Sequence, residues 1–539
     1  MKKTTYLTAI AACTALTACD DFLDKLPDNR AEIDSEDKIA LLLVSAYPEN
    51  DYLLLNEYMS DNVDDYGSSN PYTDRFLDQV FTWSEITESN NEDPKELWGS
   101  CYAAIAAANQ AIESINELGG AETTSLRESL GEALACRAYA YFILVNEFCK
   151  HYNPATANTD LGVPYITKPE VELHPSYERG TVAEVYDNIE KDILAAIQLI
   201  DKGTSNVPKY HFSKKSISAL AARFYLFKGQ WAEAEYYSTL TLGDNVNNQL
   251  RDWTNIASLA QEYDAIAYHY VDTDVNSNLL LITSYSCMGL CFGPYRYFSR
   301  YSHGDYLAYY ETVFAENIWN YYAPGIEKTL DPYEYYYHAP KEYSATNLNK
   351  VIWWKSLYVF EELDATNHIG MYRTVYPAFT ADEILLSRAE ARILQGKYDE
   401  AAADLDLWMQ NIITFDTSKT TPFTLTPELI QEFYNSVEYS TALRSTIKKH
   451  LNPPFEIDEE GSLQESMLQC VLGFRRIETI QMGLRWWDIR RYGIEVYRRE
   501  MDPAGMPTKE LDLLTKDDLR RTIQLPSDVI AVGLEANPR

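Results

Sequence analysis

FYLFKGQWAEAE at residues 224–235 and ARILQGKYDEAA at residues 391–402 are two similar stretches that decide the predicted fold of this chain. In each stretch, an apolar helical run reaches a glycine, Gly229 or Gly396, and an alanine-containing run follows it. Because glycine permits the turn and small alanines let paired helices approach closely, this pattern is typical of tetratricopeptide-like repeats. The segments predicted to form the two helix pairs are 213–242 and 380–409.

Three further helices are predicted upstream of the first pair. Apolar residues recur at three- and four-residue spacing over residues 96–118, where two glycines end the run. A second run covers about 126–149, and a third extends from Thr181, a good N-cap, to Ile200. The chain is therefore predicted to be mainly α-helical.

The composition is that of a large acidic globular protein. Of the 539 residues, 46% are hydrophobic and 24% are charged, which is enough apolar sequence for a large core. Lysine and arginine number 46 against 81 aspartates and glutamates, so the formal net charge is −35. Nucleic acid is therefore a poor candidate as a partner, because its binding relies on basic side chains that neutralise phosphates.

Tyrosine is unusually frequent, with 42 residues against 18 phenylalanines and 10 tryptophans, and nearly half of the tyrosines lie in residues 243–379. Glycine, proline and asparagine also recur there, so we predict an irregular, loop-rich subdomain inserted between the helix pairs. A tyrosine ring has an apolar face and a polar tip, which suits both recognition and partly exposed packing. We expect the helix pairs to be the rigid scaffold and the insertion to carry the function.

The amino terminus is predicted to be an export signal. Lys2 and Lys3 precede an apolar stretch that ends in LTAC at residues 16–19. This stretch is too short to span a bilayer. LTAC is similar to the lipobox of bacterial lipoproteins, in which cleavage before the cysteine leaves that residue lipidated, so Cys19 is the predicted membrane anchor. An ordinary signal peptide with an incidental cysteine is the alternative.

The sequence contains no HExxH, GxSxG, Walker or GxGxxG motif, and its histidines are scattered without metal-ligand spacing. We therefore predict a protein that is not an enzyme and that uses no cofactor and no metal. The acidic run DNVDD at residues 61–65 is expected to be a solvated loop; calcium coordination by its oxygens is the alternative, but the run lacks EF-hand spacing and the glycine of that turn. The cysteines that follow Cys19 are expected to be small buried hydrophobes without disulfides.

Aromatic residues in polar, loop-like stretches are the candidates for a ligand platform. A sugar ring has a weakly positive face of C–H bonds that packs on an aromatic face, and its hydroxyls need nearby donors and acceptors. Tyrosine supplies both at a small entropic cost. The candidate ligand-binding residues are Tyr66, Tyr72, Trp83, Tyr295, Tyr297, Tyr301 and Tyr306. Core packing is the alternative role for each of them.

FRRIETIQMGLRWWDIRRYG at residues 474–493 is the most specific motif of the chain. This motif and the order of motifs along the chain resemble those of the SusD/RagB-type nutrient-binding lipoproteins of the Gram-negative outer membrane, which carry an arginine–glutamate helix that closes on glycine, arginine, an aromatic residue, aspartate and arginine. Met482 stands where the family commonly has glutamate, and Tyr492 where it commonly has tryptophan. LWGSCYAAIAAANQAI at residues 97–112 and the chain end at residues 523–539 also resemble family segments.

From its residues alone, the motif at 474–493 is interpreted as structural. Arginines and acids one turn apart are expected to pair across a helix face. The residues predicted to form one helical stripe toward the core are Phe474, Ile477, Ile480, Leu484 and Trp487.

The resemblance implies a surface-exposed outer-membrane lipoprotein with a SusD-like scaffold of tetratricopeptide-like helix pairs. It also implies that the protein binds oligosaccharides and delivers them to a SusC-like TonB-dependent transporter, touching the membrane through its lipid alone. A RagB-like peptide-binding protein, a surface glycosidase and a periplasmic repeat scaffold are the alternatives. The predicted domains are a signal peptide at 1–18, a tether at 19–35, an amino-terminal helical part at 36–242, a ligand-binding subdomain at 243–379 and a carboxy-terminal helical part at 380–539.

Overall fold

The computed structural model describes residues 33–170, 177–201, 207, 209–322, 335–343, 349–414 and 423–539. The predicted signal peptide, the predicted anchor Cys19 and most of the predicted tether lie outside the described residues. Within the described ranges, every helix is too short or too polar to cross a membrane.

The fold is mainly α-helical, as the sequence predicts. The helices are α1 Glu36–Leu43, α2 Leu53–Met59, α3 Arg75–Phe81, α4 Pro94–Glu117, α5 Thr124–Phe148, α6 Val182–Leu199, α7 Lys214–Lys228, α8 Trp231–Leu242, α9 Trp253–Ser258, α10 Tyr263–Tyr270, α11 Met288–Phe292, α12 Asp305–Tyr310, α13 Ile318–Tyr322, α14 Ala381–Leu394, α15 Tyr398–Ile412, α16 Pro427–Ser436, α17 Leu463–Glu478, α18 Leu484–Arg491 and α19 Ser527–Ala531. The strands are β1 Asp64–Asp65, β2 Asn278–Tyr285, β3 Tyr301–Ser302, β4 Lys341–Tyr343, β5 Lys350–Ile352, β6 Val359–Asp364, β7 Ile369–Thr380, β8 Val496–Met501 and β9 Pro507–Leu514.

Both predicted helix pairs are confirmed. Gly229 (φ 78°) lies between α7 and α8, and Gly396 (φ 73°) lies between α14 and α15. Both glycines adopt the left-handed conformation, which costs a residue with a Cβ more than it costs glycine. The two pairs pack against each other through α8 and α14, where Arg392 Nε donates to Glu235 Oε1 at 3.0 Å.

The three predicted upstream helices are α4, α5 and α6, and their bounds lie within two residues of the predicted ones. Thr181 caps α6 as predicted: Thr181 Oγ1 accepts from Glu184 N at 3.2 Å, and Glu184 Oε2 accepts from Thr181 N at 2.8 Å. Helix α5 is central, since every residue from Ala135 to Cys149 is buried. A helix that is buried on all sides is surrounded by other elements.

The insertion contributes strands as well as loops. Strands β2, β7 and β6 form an antiparallel sheet in that order, and β7 leads directly into α14. A second sheet has the order β3-β1-β8-β9 and so joins the amino-terminal part, the insertion and the carboxy-terminal part. One cluster of buried apolar residues extends from Ile39 to Leu525. The insertion therefore shares its apolar core with the helical scaffold. The domain boundaries at residues 242 and 379 remain predictions from the sequence.

The motif at 474–493 forms two helices, so the prediction of one helical stripe is wrong. Helix α17 ends at Glu478 and α18 begins at Leu484, and Gln481 (φ 61°) and Gly483 (φ 69°) have left-handed conformations between them. A Cβ at position 483 would lie 2.8 Å from the ring of Tyr52, so the turn requires glycine for space as well as for conformation. The five stripe residues are all buried, but they belong to two helices and the turn between them.

The charged residues of this motif are buried, whereas the sequence predicts pairs across a helix face. Arg475 Nε and Asp488 Oδ2 are 3.0 Å apart, and neither residue is exposed. Arg491 Nη1 lies 2.7 Å from Glu390 Oε1 on α14. A pair one turn apart, Asp488 with Arg491 at 2.7 Å, belongs to the same buried network. The network therefore connects the motif to the second helix pair through ion pairs.

The acidic run at residues 61–65 is not the solvated loop that the sequence predicts. Asp61 Oδ2 lies 2.7 Å from Arg485 Nη2, and Asp64 Oδ2 lies 2.9 Å from Arg499 Nη2. Burial alone would raise the pKa of Asp61, but the guanidinium groups beside it hold that pKa well below its usual range. These carboxylates therefore connect the run to the carboxy-terminal part of the chain.

Candidate functional site

Two segments that are distant in the sequence lie side by side at the candidate site. Strands β1 and β3 pair in antiparallel fashion. Beyond the strands, Tyr66 N donates to Arg300 O at 2.9 Å, and Tyr72 N donates to Phe298 O at 3.0 Å. The backbone thus brings together the two stretches from which most of the candidate ligand-binding residues come.

Three of the predicted platform residues, Trp83, Tyr301 and Tyr306, are buried, with at most 5% of each residue exposed. Trp83 Nε1 donates to Met59 O at 2.9 Å. The ring of Tyr301 stacks on that of Phe81, with centroids 4.1 Å apart. Because protein covers these rings, they do not belong to an exposed platform, contrary to the expectation from the sequence.

Tyr66 is half-buried, and its hydroxyl is enclosed. A Cβ at Gly304 would meet that hydroxyl at 1.3 Å, and burial raises the pKa of Tyr66 well above its usual value. Lys350 Nζ lies 5.9 Å from the Tyr66 ring centroid and donates to Asn70 Oδ1 at 2.8 Å and to Ser299 O at 2.6 Å. Burial lowers the pKa of Lys350 to about 7. Lys350 therefore connects Asn70 to the backbone at Ser299, and the enclosed hydroxyl of Tyr66 is not accessible to a ligand.

The remaining candidates are accessible. Tyr72 is 50% exposed, Tyr295 is 43% exposed, and Tyr297 is half-buried. Phe298, which the sequence did not single out, lies with its ring centroid 6.4 Å from that of Tyr72. The ring centroids of Tyr297 and Tyr343 are 5.2 Å apart. These rings form the first of two neighbouring aromatic groups.

The second aromatic group is a row of rings that begins at Tyr295 and crosses β6 and β7. The ring centroids of Tyr295 and Tyr358 are 4.6 Å apart, and those of Tyr358 and Tyr372 are 5.6 Å apart. Phe360 and Tyr372 face each other across the two strands, with centroids 5.2 Å apart. We define the tyrosine surface as Tyr72, Tyr295, Tyr297, Phe298, Tyr343, Tyr358, Phe360 and Tyr372.

Sequence reasoning missed Tyr358, Phe360 and Tyr372. Tyr358 stands directly before β6 and Phe360 lies in β6 two positions later, and this alternation of aromatic residues is the local signal that could have found them. Their pairing with Tyr372 depends on strand register, which follows from the assembled sheet.

Polar groups border the aromatic row. Tyr295 Oη donates to Asp264 Oδ1 at 3.1 Å, and burial together with this hydrogen bond raises the pKa of Tyr295 to about 12. Arg373 follows Tyr372 in β7 and so faces the other side of the sheet, where Arg373 Nη2 donates to Tyr285 Oη at 2.7 Å and Arg373 pairs with Glu361. On the side of the row, apolar ring faces therefore lie beside a fixed carboxylate, a combination that suits hydroxyl-rich ligands and peptides.

The described part of the chain contains no group of three or more histidine, cysteine, aspartate or glutamate side chains that could hold a metal ion. Burial raises the pKa of the Cys149 thiol to about 11, so this thiol is protonated at neutral pH and is a poor nucleophile. The cysteines in the described ranges are all free, as the sequence predicts: Cys101, Cys136, Cys149, Cys287, Cys291 and Cys470.

Comparison with known proteins identifies relatives over most of the chain. A SusD-like family model, described as starch-binding and associating with the outer membrane, matches residues 21–226. SusD-like protein P38 of Formosa agariphila is 23% identical over 465 residues, which cover 81% of this chain and 78% of that protein.

Solved structures share the fold. A SusD superfamily protein of Bacteroides thetaiotaomicron has a TM-score of 0.59 at 17% identity and covers 94% of this chain and 100% of its own. A putative sugar binding protein of Bacteroides vulgatus has a TM-score of 0.60 at 16% identity and covers 94% of this chain and 99% of its own. The family match over residues 21–226, the relative and the shared fold agree with the resemblance to SusD/RagB-type proteins seen in the sequence.

Proposed function

We propose that this protein is a surface lipoprotein, held in the outer membrane by acyl chains on Cys19, that binds oligosaccharides and delivers them unaltered to a SusC-like TonB-dependent transporter. The starch-binding role described for the matching family and the shared fold with a putative sugar binding protein of Bacteroides vulgatus support the ligand class. In this proposal, residues 36–242 and 380–539 form the scaffold, and residues 243–379 carry most of the tyrosine surface.

The observation that carries the proposal is the row of rings that begins at Tyr295. Adjacent ring faces offer stacking positions to successive sugar units. The carboxylate of Asp264 lies next to the row and supplies an acceptor for sugar hydroxyls. Binding by stacking and hydrogen bonding leaves the glycosidic bonds intact.

Calorimetric titration of the chain without its signal peptide, against neutral oligosaccharides and against peptides of similar length, tests the ligand class. We expect an oligosaccharide to bind and Tyr295→Ala to weaken that binding about tenfold, because truncating an aromatic anchor commonly costs more than about 1 kcal/mol. Tyr236→Ala is the matched control, since Tyr236 is 61% exposed on α8, and it should leave the affinity unchanged. Binding of peptides alone would instead identify a peptide-binding member of the family.

Separation of the products after incubation with a bound oligosaccharide tests whether the protein performs chemistry. We expect the sugar to be recovered intact, because the proposed contacts are stacking and hydrogen bonding. Release of shorter sugars by the purified protein would contradict the proposal and favour a surface glycosidase.

Cell fractionation tests the anchor and the orientation. Cys19→Ala removes the thiol that would be acylated, so we expect the variant to leave the membrane fraction. Retention of the variant in the membrane contradicts the anchor. Protease added to intact cells should degrade the wild-type protein, whereas a scaffold that faces the periplasm would survive.

A further inference from the structure

A cleft of about 660 Å³ lies outside the tyrosine surface, between the 3₁₀ turn Val246–Gln249, α9, α10 and the end of α15. It shares no lining residue with the tyrosine surface. Asparagine is the commonest residue in its wall, followed by aspartate. We call this cleft the amide groove and define it by Asn248, Trp253, Asn255, Asn276, Tyr337 and Asn411.

Backbone carbonyls hold the amides of the groove in place. Asn276 Nδ2 donates to Asn248 O at 3.0 Å, and Asn411 Nδ2 donates to Arg251 O at 3.1 Å. Since each nitrogen donates to the backbone, the oxygen of the same amide has a fixed direction. Amides that are fixed in this way form a preorganised set of hydrogen-bonding groups for hydroxyls.

Arg251, the arginine in the wall of the groove, is buried; two of its nitrogens donate within the protein, and its Nε has no acceptor among the described residues. Arg251 is 1% exposed, and its guanidinium carbon lies 3.6 Å from the ring centroid of Tyr270. Arg251 Nη1 donates to Tyr270 O at 3.0 Å, and Nη2 donates to Asn278 Oδ1 at 2.8 Å. The exposed acids of the groove are Asp252, Asp272 and Asp274. An anionic ligand would therefore meet negative charge at this groove.

Two aromatic side chains belong to the groove. Tyr337 is 37% exposed, and Trp253 is half-buried. The Nε1 of Trp253 is a buried donor that has no acceptor among the described residues.

We infer that the amide groove is a second binding site, separate from the tyrosine surface, for a neutral and hydroxyl-rich ligand such as a segment of an oligosaccharide. The ring of Tyr337 packs on the C–H face of a sugar, and the fixed amides bond its hydroxyls. The aspartates of the groove select against uronic acids and other anionic sugars. The ligand class rests on the proposed function, whereas the site itself rests on the geometry of the groove.

Calorimetric titration of the chain without its signal peptide tests this inference, with maltohexaose, cellohexaose and mannohexaose as neutral probes and an oligogalacturonate of the same length as the anionic probe. We expect two classes of binding site for at least one neutral probe. Asn255→Ala and Tyr337→Ala change exposed side chains, and each should weaken one class about tenfold. Tyr295→Ala should weaken the other class alone, and Tyr236→Ala should weaken neither.

The possible results separate the two sites. If both groove variants leave every titration unchanged while Tyr295→Ala weakens binding, the groove is not a sugar site and the proposed function stands. If the groove variants weaken binding and Tyr295→Ala does not, the groove binds the sugar and the tyrosine surface does not. Equal affinity for the oligogalacturonate contradicts selection for neutral ligands. Failure of every neutral probe to bind overturns both sites.

Discussion

Two regions of this molecule differ in which side chains they bury: one encloses charged side chains, and the other exposes aromatic rings. In the motif at 474–493, Arg475 and Asp488 are fully enclosed 3.0 Å apart. At the tyrosine surface, Tyr295 is 43% exposed and packs beside Tyr263 and Tyr358. A folded protein tolerates a buried charge when ion pairs and hydrogen bonds compensate for the hydration that the charge loses. An exposed aromatic ring, in contrast, contributes little to the stability of the fold. The difference separates the residues that hold the scaffold from those that are available to a ligand.

The largest loss of stability is expected when a substitution breaks the buried network of charges. Arg475→Met leaves Asp488 buried without one of its two close guanidinium partners, so we expect the free energy of unfolding to fall by about 3 to 5 kcal/mol in urea denaturation. The matched control is Arg444→Met, because Arg444 pairs with Glu438 and both side chains are more than half exposed. That control should cost less than about 1 kcal/mol. Equal small effects for both variants would show that the buried network does not hold the scaffold.

The next largest loss of stability is expected from a substitution in the turn between α17 and α18. Gly483→Ala introduces a Cβ at positive φ and 2.8 Å from the ring of Tyr52, so we expect a loss of about 2 to 3 kcal/mol in unfolding free energy. Gly396→Ala is the control, since Gly396 also has a positive φ but a Cβ there meets nothing within 4 Å. Its cost should be about 1 kcal/mol. If the two variants lose equal stability, close packing against Tyr52 contributes nothing.

The regular parts of the scaffold could be predicted because local sequence determines them. Gly229 and Gly396 mark the turns of the helix pairs, and Thr181 with its partner Glu184 begins α6. The break before Gly483 could not be predicted, because contact with the distant Tyr52 fixes it. The burial of the charged residues was missed for the same reason, since their partners lie on other parts of the chain.

The candidate site was only partly predictable from the sequence. Aromatic residues in polar, loop-like sequence were selected as candidate ligand-binding residues, and two of them, Tyr72 and Tyr295, are exposed. The same reasoning selected Tyr301, which is buried because β3 pairs with β1 and its ring stacks on Phe81. Exposure is a property of the assembled fold, and residues a few positions apart in one segment can differ in it completely.

A third prediction concerns Glu92, which joins the amino-terminal part to the insertion. Glu92 Oε1 accepts from Ser286 Oγ and from Cys287 N, each at 2.9 Å. Burial and then the charge of Asp51 raise the pKa of Glu92 to about 8, from an ordinary value of 4.5. Its folded-state pKa therefore lies above its unfolded value. The stability that Glu92 contributes is present below pH 4.5 and is lost as the pH rises through about 8.

Glu92→Gln removes this titration. We expect the variant to gain stability relative to the wild type as the pH rises from 4.5 to about 8, in urea denaturation at a series of pH values. Glu113→Gln, which removes a charge from an exposed position on α4, is the control for the change in net charge. A stability difference between Glu92→Gln and the wild type that does not change with pH would contradict a protonated Glu92 in the folded protein.

The smallest expected effect on stability belongs to the tyrosine surface, and it completes the comparison. In the double variant Tyr72→Ala/Tyr295→Ala, about half of each ring is already exposed to water, so little apolar burial is lost. We expect the free energy of unfolding to fall by less than about 1 kcal/mol while affinity for a neutral oligosaccharide falls at least about tenfold. A loss of stability as large as that of Arg475→Met, with unchanged affinity, would place these rings in the scaffold. Unchanged stability with lost affinity would show that this region contributes recognition and that the buried network contributes the fold.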